Sequence, residues 1–298
     1  MVDDYAHSVE AADAELPPAL ALYAAHLLRR AYIRSNRLAP EIEPVGGGAG
    51  SARDFQVLDA LSEPTAAYSQ QDLGERLGIN RTTMVKLIDR LEAAGQVVRS
   101  RNPGDRRSYV LALTDNGRGA IRTMEPAMSE GDDRLTAALT PAERDRLDLL
   151  LATLLSRPWP ADGPPRTGSL IAQSHHFVRR RIEDALTDVG LRARHFGALT
   201  VLADGPCSQQ QLARRLGISE QAVLQIVDDL ERTDLVVRDR DRQDRRRYAL
   251  RLTPAGQDAL RTSRRVVEAA EAEMGTRLGA DGRAELKGLL TKLLRAEV

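Results

Sequence analysis

The chain contains one stretch of sequence twice. Residues 69–118 align with residues 208–257 at a constant offset of 139 and without a gap, and 23 of the 50 aligned positions are identical. Such a repeat predicts two copies of one folding unit, because both copies carry the same pattern of apolar and turn residues. The length of 298 residues also favours two domains over one.

Each copy predicts two short helices joined by a turn that contains glycine. In the first copy Ser69 begins a capping box, Gly78 supplies a left-handed C-cap, and Asn80 caps the next helix. The second copy repeats these signals at Ser208, Gly217 and Ser219. Helix, turn and helix in this order are the helix-turn-helix motif.

A β-hairpin is predicted directly after each motif. Residues 97–101 and 109–113 have strand-like sequences, and the turn between them is rich in Asn, Pro, Gly, Asp and Arg. A hairpin in this position is a wing. Longer helices are predicted around these elements, at about 18–38, 114–135 and 140–156 in the first copy. The predicted fold class is mainly α with small β-wings: two winged helix-turn-helix lobes on a shared, dimerisation-like helical domain.

The repeat also sets the expected domain boundaries. They are an acidic tail at 1–17, a first repeat at 18–155, a Pro-rich linker at 156–168 and a second repeat at 169–298. Residues 40–50 have no counterpart in the second copy and contain three consecutive glycines, which predicts a flexible loop.

Composition excludes several classes of protein. A single cysteine, Cys207, allows no intramolecular disulfide, and five scattered histidines predict no metal site and no cofactor. No apolar run is long enough to cross a membrane, and the acidic N-terminus lacks a signal-peptide core, so we expect a cytoplasmic protein. Neither a nucleophile with partners nor a phosphate-binding glycine loop is recognisable, which predicts that the protein is not an enzyme.

The copies differ most in the second helix of the motif. Residues 80–88 and 219–227 share no identical position, although the flanking sequence is strongly shared. A recognition helix places the N-terminal part of its exposed face against base edges in the major groove. The two copies therefore share the residues that form the fold and differ in the residues predicted to contact DNA.

The pattern resembles the MarR family of bacterial transcription regulators in two tandem copies. The motifs that carry the resemblance are Leu77-Gly78-Ile79, the run at 89–95, and the wing followed by Leu113-Thr114-x-x-Gly117. It covers about 18–155 and 169–296. Family members usually act as homodimers whose two lobes bind successive major grooves of double-stranded DNA. The resemblance therefore implies one chain that acts as an intramolecular pseudo-dimer, while a homodimer of two such chains is also open.

The residues predicted to contact DNA lie on the two recognition helices and the two wings. In the first copy they are Arg81, Thr82, Thr83, Lys86, Arg90, Arg101, Arg106 and Arg107. In the second copy they are Gln221, Gln225, Arg240, Arg242, Arg245 and Arg246. Arg and Lys suit guanine O6 and N7, whereas Gln suits adenine.

The two recognition helices differ in charge. Residues 80–90 carry three cations and one anion, a sum of +2, whereas residues 219–229 carry three anions, a sum of −3. Because carboxylates are repelled by phosphate, two interpretations are open. The second lobe reads a different half-site, or it is a structural partner that holds the DNA backbone weakly. Either one predicts an operator that is not palindromic.

Two further hypotheses concern partners other than DNA. The resemblance implies a small aromatic or phenolic acid as effector, and the candidate ligand-binding residues are Tyr23, His26, Arg30, His176 and Arg180. Packing roles for the two histidines are the simpler alternative. The competing function is that of a winged-helix adaptor that binds another protein, because the acidic helix of the second copy would suit such a partner.

Overall fold

A computed structural model describes residues 17–39, 42–62, 68–101, 109–156, 166–240 and 248–295. Over these residues the protein is mainly helical and has two small antiparallel hairpins, which confirms the predicted fold class. None of the described helices is long and apolar enough to span a membrane.

The elements follow the same order in both repeats. The first repeat contains α1 Pro18–Ala21, α2 Ala24–Leu38, α3 Ala52–Ser62, α4 Gln70–Leu77, α5 Arg81–Ala93, β1 Val97–Arg101, β2 Tyr109–Leu113, α6 Asp115–Thr136 and α7 Pro141–Leu154. The second contains α8 Thr167–Thr187, α9 Ala193–Ala203, α10 Gln209–Leu216, α11 Glu220–Arg232, β3 Val236–Arg240, β4 Tyr248–Leu252, α12 Pro254–Gly275 and α13 Gly279–Arg295.

The local signals for the helix-turn-helix are confirmed. Both hydrogen bonds of the Ser69 capping box are present, and Gly78 has a left-handed backbone with φ 65°. The side chain of Asn80 accepts a hydrogen bond from the Thr83 amide, 2.8 Å away. Ser208, Gly217 and Ser219 repeat this arrangement. Both turns are therefore specified by bonds within a few residues.

The first predicted helix is interrupted. It ends as α1 at Ala21 and resumes as α2 at Ala24. The polar groups exposed by the break have partners, because the Ala25 amide donates to Glu271 Oε1 (3.1 Å) and Lys287 Nζ donates to the Leu22 carbonyl (3.2 Å). The sequence of this segment did not reveal these distant partners.

The insertion after α2 is held more firmly than predicted. Among its described residues, the Ala49 amide donates to Gln96 Oε1 (2.9 Å), and Gln96 Nε2 donates to the Val45 carbonyl (2.7 Å). Gln96 is buried. A side chain added at Gly48 would overlap the Gln96 amide, so this turn requires glycine there.

The chain forms two compact units, and each unit draws on both repeats. One consists of residues 1–30 and 178–291, and the other of residues 31–177 and 292–298. The first unit thus holds the helix-turn-helix of the second repeat together with the N-terminal segment of the first. The second unit holds the helix-turn-helix of the first repeat together with the start of α8.

In the unit of residues 31–177 and 292–298, the start of α8 packs on the first lobe. The His176 ring lies so close to Gly78 that a Cβ there would be 2.1 Å from it. The Gly168 amide donates to Asp132 Oδ1 (3.1 Å), and the Thr167 hydroxyl donates to Asp148 Oδ2 (3.1 Å). Both carboxylates are buried.

In the unit of residues 1–30 and 178–291, the N-terminal segment packs on the second lobe. Arg29 donates to the carbonyls of Leu216 (2.9 Å) and Gly217 (3.2 Å), at the end of α10. The rings of Tyr23 and Phe196 meet edge to face with centroids 5.2 Å apart. The last carbonyls of a helix have no partner inside it, so Arg29 supplies what α10 cannot.

Asp148 makes the stability of the unit of residues 31–177 and 292–298 depend on pH. Burial raises the pKa of its carboxyl to about 7, although the Thr167 hydrogen bond opposes this shift. The unfolded chain ionises near 4, so stability falls as pH rises from about 4 to 7, and the full cost of a buried charge remains above 7.

We therefore expect Asp148→Asn to stabilise the protein at pH 8. The gain should be a few kcal/mol, or roughly 5 °C in Tm, and it should largely vanish at pH 5. Circular dichroism melts at both pH values measure it. Asp145→Asn, on the exposed face of the same helix, is the control and should show no such gain. Equal gains at both pH values would contradict the assignment.

Candidate nucleic-acid interface

α5 presents one face to solvent because its other face is in the core. Met84, Leu87, Ile88 and Leu91 are buried at helical spacing. The side chains of Arg81, Thr82, Lys86 and Arg90 are exposed, and Thr83 is half-buried. Thr82, Lys86 and Arg90 follow one another four residues apart, so they form one exposed stripe along the helix.

α11 repeats this arrangement with different chemistry. Val223, Ile226, Val227 and Leu230 are buried. Gln221 and Gln225 are exposed, and the aligned stripe in this copy is Gln221, Gln225 and Asp229. Both helices therefore offer an exposed face in the same register, with Thr82, Lys86 and Arg90 in the first lobe and two exposed amides followed by the half-buried Asp229 in the second.

An arginine on β1 pairs with two carboxylates of α5 and offsets one of their two charges. Arg99 Nη2 lies 2.6 Å from Asp89 Oδ1, and Arg99 Nη1 pairs with Glu92. In the second lobe Arg238 Nη2 lies 2.8 Å from Asp228 Oδ1, and Arg238 Nη1 pairs with Glu231. The charge of each recognition helix is thus partly balanced by its own wing.

These pairs correct the electrostatic comparison made from sequence. The sum of −3 over residues 219–229 counted Asp228 and Asp229 as free charges. Asp228 is paired with Arg238, and Asp229 is paired with Arg194 and Arg232. Because the neutralising arginines lie partly on other elements, the helix sequence alone overstated the repulsion that a phosphate would meet.

Arg90 has an intramolecular partner. Its guanidinium pairs with Asp54 on α3, whose side chain is 1% exposed, whereas that of Arg90 is 49% exposed. The second oxygen of Asp54 accepts hydrogen bonds from the Gly50 amide (2.9 Å) and the Ser51 hydroxyl (2.8 Å). The carboxylate is therefore fixed, and it holds Arg90 with half of its surface towards solvent.

The wings are described only in part. Arg101, at the end of β1, is exposed. Arg240 ends β3, and its side chain lies outside the described residues. The predicted contacts at Arg106, Arg107, Arg242, Arg245 and Arg246 also lie outside the described residues. Their part in DNA binding stays a prediction.

Three of the candidate ligand residues lie together in the unit of the second lobe. Tyr23 is buried, and burial raises the pKa of its phenol. Burial, together with the nearby Arg29 and Arg30, lowers the pKa of His26 to about 3, so its imidazole is neutral at pH 7. His26 Nε2 is shielded from solvent and has no hydrogen-bond partner among the described residues. Of these three, only Arg30 carries a charge that could attract a carboxylate.

The other two candidates are divided between the units. His176 packs against Tyr32 with ring centroids 5.1 Å apart, and Tyr32 stacks on His175 at 4.9 Å. Arg180 is exposed and belongs to the unit of residues 178–291. Tyr32 and His175 were missed from sequence, although two adjacent histidines on one helix were a signal. No group of three or more His, Cys, Asp or Glu in the described part of the chain is placed to bind a metal.

Comparisons with known proteins identify relatives of both repeats. Two models described as "MarR family" match residues 51–109 and 189–247. A putative transcriptional regulatory protein for the hcr operon of Thauera aromatica is 35% identical over 37% of this chain and 68% of its own length. The regulator PecS of Dickeya dadantii is 34% identical over 34% of this chain and 62% of its own length.

A solved structure is also similar. It is the MarR family protein Rv2887 of Mycobacterium tuberculosis in complex with salicylic acid, which is 30% identical to this chain. The match covers 45% of this chain and 99% of that protein, with a TM-score of 0.39.

The low pKa of His26 predicts acid sensitivity of the second-lobe unit. An unfolded histidine takes up a proton near pH 6.5, whereas His26 stays neutral in the folded protein until about pH 3. Stability from this residue is therefore complete above pH 6.5 and is lost as pH falls, by about 2 kcal/mol at pH 5. We expect the Tm of His26→Gln to fall less than the Tm of the native protein when the pH is lowered from 7.5 to 5. Calorimetry at the two pH values measures this difference. An unchanged loss would show that another group causes it.

Proposed function

Because the chain belongs to the MarR family of DNA-binding transcription regulators, we propose that it binds its operator as a single-chain pseudo-dimer, without a second copy. The observation that carries the proposal is the pair of recognition helices. They bury apolar residues at the same four positions, have the same N-cap geometry and differ on the exposed face. One chain thus supplies two lobes with unlike reading surfaces.

The two stripes favour unlike half-sites. Thr82 and Lys86 suit thymine methyl groups and guanine, whereas Gln221 and Gln225 suit adenine. Phosphate attraction supplies most non-specific affinity, and the ion pairs of Asp228 and Asp229 reduce the repulsion that would disfavour the second lobe. We propose that both lobes read DNA and that the operator is not palindromic.

The regulator acts as a repressor in this proposal, and a small aromatic acid releases it from DNA. Tyr23 supplies an aromatic ring and His26 a neutral imidazole. Positive charge comes from Arg30 near His26 and from Arg264 near Tyr23, where Glu268 and Glu271 oppose it. This combination fits a ring that carries one carboxylate. We assign effector binding to Tyr23, His26 and Arg30, which belong to one unit. The pair His176 and Arg180 is not included, because these two residues belong to different units.

Selection of genomic fragments by the purified protein tests the operator. We expect a bound site composed of two unlike halves, because Lys86 and Gln225 occupy the same position in the two lobes. Lys86→Gln should weaken binding, shift the base preference of one half only from guanine towards adenine, and lower the salt slope by about 1.

Two other results are informative. A palindromic consensus would mean that first lobes from two chains pair, and would contradict the pseudo-dimer. No enriched site, together with no effect of Lys86→Gln on any duplex, would favour the adaptor function instead.

A screen of aromatic acids tests the effector. Salicylate at saturation should raise Tm by a few °C and release the protein from its selected operator. Salicyl alcohol, which lacks the carboxylate, should do neither, and Arg30→Gln should reduce the response to salicylate. If no aromatic acid changes either the Tm or the release of DNA, the effector part of the proposal fails while DNA binding stands.

A further inference from the structure

One ion pair is inverted between the two lobes. α3 and α9 align at an offset of 141, so Asp54 corresponds to His195, and Arg90 corresponds to Asp229. In the first lobe the anion lies on α3 and the cation on the recognition helix. In the second lobe the anion lies on the recognition helix, and its cationic partner is Arg194 on α9, the neighbour of His195, which corresponds to the exposed Arg53 of α3.

The second-lobe arrangement places both oxygens of Asp229 against guanidinium groups. Arg194 Nη2 lies 2.7 Å from Oδ2, and Arg232 Nη2 lies 2.6 Å from Oδ1. His195 Nε2 is 3.5 Å from Oδ2, and burial lowers the pKa of this histidine, so it adds no full charge at pH 7. The hydrogen bond from Arg232, followed by the charge of Arg194, lowers the pKa of Asp229.

The net charge around the third stripe position therefore differs from the charge of the residue at that position. Arg90 and Asp54 sum to zero, with the anion buried and the cation half exposed. Asp229, Arg194 and Arg232 sum to +1, and the side chains of Arg194 and Arg232 are 30% and 71% exposed. The Asp229 side chain is 25% exposed, so this end of α11 offers solvent more guanidinium than carboxylate surface.

We propose that Arg194 is a phosphate-binding residue of the second lobe, which takes the place that Arg90 has in the first, and that Asp229 is the positioning residue that orients it. The assignment rests on the proposed DNA-binding function. Arg194 Nη2 donates to Asp229 (2.7 Å) and Nε to His195 Nε2 (3.4 Å), which leaves the other N–H groups of this guanidinium for a phosphate. The second lobe thus has a cation beside the third position of the stripe, and this cation belongs to α9 instead of the recognition helix.

Fluorescence anisotropy with the full-length protein and a mixed-sequence duplex of about 30 base pairs tests this over about 50–200 mM KCl. Arg194→Gln should lower affinity about tenfold at the low-salt end and reduce the salt slope by about 1. Arg215→Gln is the matched control, because it breaks an ion pair of similar exposure in the same lobe, with Asp204 at 2.7 Å. It should leave binding unchanged.

A second comparison isolates the positioning role. Asp229→Asn and Glu220→Gln remove the same charge from the same helix. Glu220→Gln should raise affinity, because an exposed carboxylate is lost, whereas Asp229→Asn should lower it, because Arg194 and Arg232 lose their anchor. If Asp229→Asn raises affinity as much as Glu220→Gln does, Asp229 only repels DNA and the inference is wrong.

A double variant that gives the second lobe the ion pair of the first separates a binding defect from a folding defect. His195→Asp with Asp229→Arg recreates the first-lobe pair and should bind DNA, and Arg194→Gln should then have no further effect. Melting curves check that each variant is folded. If Lys86→Gln weakens binding while Arg194→Gln does not, the inference fails and the proposed function stands. If neither changes binding, the proposed function fails.

Discussion

Each helix-turn-helix is completed by a side chain from the other repeat. The end of α10 has carbonyls that no residue of its own helix can bond, and Arg29 donates to two of them. The turn after α4 has the His176 ring against Gly78, where only glycine leaves room. Neither repeat therefore contains all the contacts of the unit in which its recognition helix lies, and this exchange explains why the compact units do not coincide with the repeats.

The sequence predicted those parts of the fold whose partners are near in the chain. Ser69 and Thr140 each form hydrogen bonds with groups three residues away. Gly78 has the left-handed backbone of a helix C-cap, which depends only on the adjacent helix. Contacts such as that of Arg29 with Gly217, 188 positions apart, leave no local signal. The break before α2 belongs to the same class, because Glu271 and Lys287 supply the partners of its exposed backbone groups.

The candidate site divides in the same way. Helical periodicity was enough to place Lys86 and Gln225 on exposed faces. The charge of the two faces could not be summed along the helix, because Arg238 and Arg194 lie on other elements. The sequence does contain one signal for this pairing. Asp89, Glu92 and Arg99 are identical in the second copy, as expected for three residues that form one cluster.

The inverted ion pair has a consequence for the gene as well as for the protein. Two similar DNA segments in one gene invite recombination and gene conversion, which would make the lobes alike again. A crossover between the codons for the two partners would place Asp54 opposite an aspartate, or His195 opposite an arginine. The first hybrid removes Arg90 from the buried Asp54 carboxylate, and breaking a buried ion pair is strongly destabilising. Each lobe therefore carries a pair of partners that match each other and do not match those of the other lobe.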